Sequence, residues 1–268
     1  MFDLAALEAD LSGTVYAGKV YFSPVTGSTN TDALAAARNG APHGSVFFAD
    51  EQRAGRGRGD HTWESAAGEG LYVSVLLRPQ LEPVYLPLMP LAAGLAAADA
   101  IRTVTGLEID LRWPNDLLIG PRKTGGILVE AQTQSQPEAN GVAFVVVGIG
   151  INVHQRSFDP GLATPATSLD MESGHVFGQR INRQALLVGL LKSLEREALG
   201  LLNPAARAMI PSRVESASSW VHGRRVEVHG PQQYIGTTEG LDEHGFLLVR
   251  TKERLVHVQT GGIRECSF

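Results

Sequence analysis

Hydrophobic and polar positions follow two rhythms along this chain. Up to about residue 220, helical spacings and strand-like runs succeed one another; from about Gly223 only short alternating runs remain. Residues 2–13 carry helical apolar spacing with a glycine stop at Gly13, and 18–25 alternate as a short strand. Residues 27–40 read as a helix capped by Thr29 or Asn30, filled with alanine and ended by Gly40. Residues 44–50 and 71–79 are apolar enough for buried strands, and 86–106 predict a small-residue helix with Pro90 in its first turn. Residues 107–113 alternate as a strand, 114–116 turn, 117–120 form a short strand, 121–125 turn again and 126–133 form a further strand. Residues 140–153 are the most β-rich run, followed by a polar, proline-bearing loop to about residue 180.

Residues 182–200 predict an amphipathic helix capped by Asn182, and 204–219 a further helix interrupted by Pro211. The runs 224–230, 234–245, 246–251 and 254–262 suggest a small β-barrel. Several neighbouring strands with helices in separate runs point to an α+β fold with a mixed central sheet. The expected division is 1–220 for a main domain and 221–268 for the barrel.

Composition leaves the broad class ordinary: 268 residues, 43 % hydrophobic, 19 % charged, a soluble chain with a sizeable core. The net charge of −5 argues against a general nucleic-acid binder. Cys266 is the only cysteine, so neither an internal disulfide nor a cysteine-based zinc site is expected, and Cys266 reads as an unimportant small side chain. No apolar run reaches the roughly 18 residues of a membrane span. The acidic start lacks the pattern of a secretory signal. The expected location is the cytoplasm, with no membrane partner.

Against that acidic background, "QRAGRGRGDHTWES" (52–65) concentrates arginine and glycine between two apolar strands. Cations with little side-chain bulk between them suit an anion approached by backbone amides. The string matches neither the P-loop nor the dinucleotide glycine spacing. It lacks the basic, disordered surroundings of an arginine–glycine nucleic-acid segment. A solvated glycine turn is the plain alternative. Trp63 and the further glycines of 54–70 favour a loop that orders around a ligand such as a nucleoside phosphate, although Trp63 also reads as a core anchor.

A second stretch, "WPNDLLIGPRKTGGILVE" (113–130), sets Asn115 and Asp116 at a strand end and Lys123 in the next turn. With 19 arginines and only four lysines in the chain, Lys123 stands out as a compact point charge, against the alternative of a solvated turn lysine. Gly148 and Gly150 interrupt a bulky strand, where close approach of a ligand or of a packed helix accounts for glycine, and buried Asn152 needs a partner.

"GSTN", "QRAGRGR…W", "GLYVSV", "WPNDL…RKTGGILVE" and "VGIGINV" in this order resemble the biotin–protein ligases, from about residue 26 to 153 and more weakly through the C-terminal runs. The resemblance implies a class II synthetase-like catalytic domain with an SH3-like C-terminal barrel. Only 27 residues precede Ser28, so the monofunctional type without a DNA-binding winged helix is expected. The implied reaction joins biotin to AMP at the expense of ATP, then passes biotin to a lysine of a biotin carboxyl carrier domain. Magnesium would accompany ATP, with no metal ligand among the protein side chains, and a homodimer is one assembly the family allows.

Residue by residue, the resemblance implies that Ser28, Thr29, Asn30 and Gln52 bind the ureido end of biotin. Gly126, Leu128, Gly148 and Gly150 would wall its rings, and Gly55 and Arg56 would meet its carboxylate or the α-phosphate. Lys123 would bridge carbonyl and phosphate, with Arg56 and Asp116 as the other catalytic groups. Arg58, Trp63, Asn115 and Asn152 would hold the adenylate, and Asp116 would orient or help deprotonate the incoming lysine. The chain departs from the common pattern at Gly59, Asp60 and His61, at Ala66 and at Gly70. A lipoate- or octanoate-transferring relative of the same fold, and a non-enzymatic nucleotide- or RNA-binding module, are the rival readings.

Overall fold

The computed structural model describes residues 2–59, 61–133, 141–174, 180–230 and 233–266. Asp60, Asn140, residues 175–179 of the polar loop, and positions 231–232 and 267–268 of the C-terminal run therefore lie outside the described residues. Seven strands form the central sheet: β1 (Val20–Thr26), β2 (Ser45–Gln52), β3 (Gly70–Leu77), β4 (Asp110–Arg112), β5 (Asp116–Ile119), β6 (Arg122–Thr133) and β7 (Val142–Asn152). Their order is β1-β2-β3-β7-β6-β5-β4; β1 and β2 run parallel and every other neighbour is antiparallel. This is the expected α+β arrangement around a mixed sheet.

Helices cover both faces. Helix α2 (Thr29–Arg38) packs Ala33 and Ala37 on Leu76, Phe144 and Val146. On the other face, α3 (Leu88–Thr105) and α5 (Arg183–Leu202) pack together. Alanine and glycine let them approach: a methyl group on Gly189 would lie 3.7 Å from that of Ala100. Covered on both sides, β3 is buried at all its positions, which explains why its sequence is a continuous apolar run.

The remaining helices are α1 (Leu4–Asp10), α4 (Leu169–Glu172), α6 (Pro204–Ala208) and α7 (Ile210–Ser216). A second, antiparallel sheet contains β8 (His222–His229), β9 (Tyr234–Leu241), β10 (Leu247–Arg250), β11 (Leu255–Val258) and β12 (Gly262–Glu265), in the order β11-β10-β9-β8-β12. Its buried Val226, Val228, Leu247 and Val249 join the main core. The Trp113 indole N–H donates to the Gly245 carbonyl at 3.0 Å, and the Leu241 amide donates to Glu215 at 2.8 Å. These contacts seat the small sheet against α3, α7 and the end of β4.

Five local expectations are corrected. Ser28, not Thr29 or Asn30, is the N-cap residue of α2, which frees the next two side chains for other bonds. The turn expected over 121–125 is shorter: β6 already begins at Arg122, so Lys123 is a strand residue. Pro211 does not interrupt a helix but sits in the first turn of α7, where its missing N–H costs nothing; the break falls at Met209. The loop before residue 180 contains α4, capped by the Ser168 hydroxyl, and the C-terminal sheet has a fifth strand, β12. No helix among the described residues is long and apolar enough to cross a membrane.

Asn182 caps α5 as its sequence indicates, accepting from the Gln184 and Ala185 amides at 3.0 and 3.1 Å. Asn182→Ala is expected to lower folding stability by about 1 kcal/mol, read as a reduced urea midpoint at unchanged slope.

Candidate active site

Strand register builds the floor of the site. Ser74, Gly148 and Leu128 lie side by side on β3, β7 and β6; the next row holds Tyr72, Gly150, Gly126 and Asp116. Side chains two residues apart on a strand share a face, so Gly126, Leu128 and Glu130 point the same way. The glycines leave room for what lies over them. A Cβ on Gly148 would run into the Asn30 amide, and one on Gly150 would lie 2.6 Å from Nε1 of Trp63. A Cβ on Gly126 would be 3.4 Å from both the Trp63 ring and Lys123 Nζ. The indole of Trp63 therefore covers the two glycines, and its buried N–H has no hydrogen-bond partner among the described residues.

Lys123 reaches this face through a register shift. Leu117 pairs with Gly125 but Leu118 with Lys123, so β6 carries one extra residue, Thr124. In a regular strand residues 123 and 126 would face opposite ways; the bulge turns Lys123 back beside Gly126. Its ammonium lies 2.5 Å from Asp116 Oδ1 and 5.6 Å from the Trp63 ring centre. The other Asp116 oxygen accepts from Arg112 at 2.5 Å, and Arg112 also donates to Thr164 at 2.9 Å and stacks on Trp220. Burial pushes the Asp116 carboxyl up, but the Lys123 and Arg112 charges more than offset it and hold its pKa below the usual value. Two cations on one carboxylate leave a net positive charge of one beside Gly126.

A strap fixes the backbone here. The Lys123 amide donates to Pro165 O at 2.8 Å, and the Thr167 amide donates to Lys123 O at 2.9 Å. Asn152 ties the same strap to β7 by donating to Thr167 O at 3.1 Å.

At the other end of the face runs a chain of polar side chains. Arg56 donates to both oxygens of Glu130, at 2.9 and 3.0 Å. Glu130 also accepts from Asn30 Nδ2 at 2.8 Å, and Asn30 Oδ1 accepts from the Ser74 hydroxyl at 2.7 Å. The Thr29 and Ser74 hydroxyls are 2.8 Å apart, and Gln52 Oε1 accepts from the Thr29 amide at 2.9 Å. Gln52 Nε2 donates to Ser65, whose hydroxyl donates to Trp63 O. The chain thus leaves the arginine–glycine loop at Arg56 and returns to it at Ser65.

A cavity of about 280 Å³ opens beside β6, lined by Arg58, Pro90, Asn115, Leu128, Phe246 and Gln259. Arg58 donates to the Gly261 carbonyl, linking the loop to the small sheet. Asn115 is held in place by donating to Ile127 O at 2.8 Å.

The structure brings Thr29, Asn30, Gln52, Arg56, Gly148, Gly150, Gly126, Trp63, Lys123 and Asp116 onto one face, with Leu128, Asn115 and Arg58 in the adjoining cavity. Ser28 is buried at the helix start, and Gly55 is buried under Trp63 O and Ser65. Arg56 is bound to Glu130 and Lys123 to Asp116 beside Gly126, so the two cations lie beside residues four positions apart on β6. Arg112, Ser74, Ser65, Thr164 and Glu130 were not singled out from the sequence. Ser74 and Glu130 were detectable as polar residues inside apolar strand runs; Arg112 and Thr164 meet only through the fold.

Residues 22–152 match the model of the biotin/lipoate A/B protein ligase family, and residues 221–263 match the biotin protein ligase C-terminal domain. The chain is 36% identical to the biotin–[acetyl-CoA-carboxylase] ligase of Paracoccus denitrificans, over 84% of this chain and 91% of that protein. It is 34% identical to the ligase of the same name from Mycobacterium tuberculosis, over 89% of this chain and 85% of that one. Among solved structures, a biotin protein ligase from Aquifex aeolicus in complex with biotin and ATP superposes with a TM-score of 0.76 at 26% identity, covering 92% of this chain and 98% of that chain.

Two substitutions test this geometry. Asp116→Ala leaves Lys123 and Arg112 facing each other without their shared anion and is expected to cost about 3 kcal/mol or more of stability, measured by urea unfolding. Gly148→Ala pushes into Asn30 and is expected to cost about 1–3 kcal/mol in the same measurement.

Proposed function

The chain belongs to the biotin protein ligase family, and from that membership we propose how its residues divide the work of activating biotin with ATP and transferring it to a carrier lysine. In the first step a biotin carboxylate oxygen attacks the α-phosphorus of ATP, pyrophosphate leaves, and biotinyl-5′-AMP forms. In the second, a lysine amine attacks the biotinyl carbonyl, AMP leaves, and an amide results. The carrier lysine belongs to a biotin carboxyl carrier domain of a carboxylase.

Both steps gather negative charge on phosphate oxygens, so a fixed cation near the reacting atoms is the main help that a protein can give. Lys123 supplies it. The observation that carries this assignment is the bulge that turns Lys123 onto the glycine face, where Asp116, itself held by Arg112, binds it. Because Arg112 shares the carboxylate, Lys123 is positioned without being fully neutralised and keeps a net attraction for the substrates' anions.

Asp116 acts by orientation. A carboxylate held below its usual pKa by two cations is a weak base, so its part in the second step is to aim the incoming lysine and Lys123. Thr29, Asn30 and Gln52 offer donors and acceptors to the ureido group, and the glycine floor admits the ring. Trp63 closes over the intermediate, and Arg58, Asn115 and the adjoining cavity take the nucleotide. Asn152 acts indirectly, by tying the strap that holds the Lys123 backbone.

Magnesium enters with ATP as part of that substrate. Among the described residues there is no group of three or more histidine, cysteine, aspartate or glutamate side chains placed to hold a metal ion, and both Asp116 oxygens are engaged.

The reading predicts that biotin drives exchange of labelled pyrophosphate into ATP and that a carrier domain gains one biotinyl mass in the full reaction. Exchange driven by lipoate, or seen equally without any acid, would contradict it. Lys123→Ala is expected to abolish exchange while circular dichroism stays near wild type, and the urea midpoint falls by less than in Asp116→Ala because Arg112 still pairs with Asp116.

A further inference from the structure

Arg56 is not waiting open for its substrate. Both of its terminal nitrogens already bind a carboxylate, that of Glu130, in the two-bond geometry that an acid substrate would use. The pair is partly accessible, with side-chain exposures of 43% and 27%, so exchange with an entering anion is sterically open. We infer that Glu130 is a specificity-determining residue: a resident carboxylate that an incoming acid displaces from Arg56 only when the rest of that acid is held by polar groups elsewhere in the pocket. The inference rests on the biotin-ligase reading above and adds to it a residue that discriminates among acids.

Swapping one carboxylate for another at the same guanidinium yields little net free energy. A monocarboxylic acid with a plain alkyl chain brings only that exchange and its apolar contacts. An acid with a hydrogen-bonding head group brings more. Asn30, which donates to Glu130 Oε2, also belongs to the polar chain through Ser74, Thr29 and Gln52. A head group that recruits the Asn30 amide withdraws one hydrogen bond from Glu130 and loosens its hold on Arg56. Recognition by Asn30 is thereby coupled to release of Arg56, because both bind the same Glu130 carboxylate. Release is also what lets Arg56 leave the Glu130 end of the face and approach Lys123.

Glu130→Gln removes the charge while keeping an amide oxygen for Asn30. Two measurements on the full chain test the inference: the biotin Kd by calorimetry without ATP, and acid-dependent pyrophosphate exchange with biotin or octanoate. Biotin is expected to bind the variant about two- to fivefold more tightly, in line with the strength of a partly exposed ion pair. The biotin-over-octanoate ratio of exchange rates is expected to fall by a similar factor or more. An unchanged or weakened biotin affinity, or an unchanged ratio, would overturn the assignment and make Glu130 a support for Arg56. If Glu130→Gln does not fold, Glu130→Asp, one methylene shorter, takes its place with the same expected directions. Wild-type protein lacking biotin-driven exchange would sink the ligase reading and this inference together; active wild type with an unaltered variant ratio counts against Glu130 alone.

Discussion

One carboxylate between two cations organises the Lys123 end of the glycine face. Asp116 gives one oxygen to Lys123 and the other to Arg112. Each partner solves a problem for the others. Asp116 fixes a long, flexible ammonium that would otherwise wander. Arg112 makes the buried carboxylate affordable and keeps the group positive overall. Thr164 and Trp220, on separate segments, hold Arg112 in turn. Burying such charges is costly unless every partner is present, so the cluster also demands that the 164–168 strap and the seam with the small sheet be correctly placed.

The second constraint is space. Gly126, Gly148 and Gly150 lie on adjoining strands, and their missing side chains form a shallow floor that Asn30 and Trp63 cover in this structure. The floor is packed from both sides: its neighbour β3 is buried throughout and both faces of the sheet carry helices. The arginine–glycine loop is different in kind. It is held at its two ends by the same polar chain, through Arg56 and through Ser65, so changes in that chain reach the loop directly.

Most of the fold was legible because its signals are local. The Asn182 cap, the alanine helix of 29–38, the apolar runs of β3 and β7 and the short alternating strands after residue 221 each follow from neighbouring residues. The errors fall where tertiary contacts override local ones. Thr29 and Asn30 look like caps but are spent on Gln52 and Glu130. Lys123 looks like a turn residue because glycine and proline precede it, yet pairing with β5 extends the strand to Arg122. Asn30, Trp63, Asp116 and Lys123 stand in recognisable strings, while Arg112 and Thr164, 52 positions apart, have no shared local pattern. Glu130 was present in a quoted motif, but only its contact with Arg56 gives it meaning.

The extra residue at Thr124 has an evolutionary consequence. Lys123 shares a face with Gly126 across an odd offset of three residues, which the local irregularity in the ladder compensates. Losing or gaining a single codon between Lys123 and Gly126 would preserve the amine and nearly every neighbouring letter, yet set the amine and Gly126 on opposite sides of a regular sheet. Insertion and deletion are therefore harsher here than most replacements, and sequence spacing carries as much of the chemistry as residue identity.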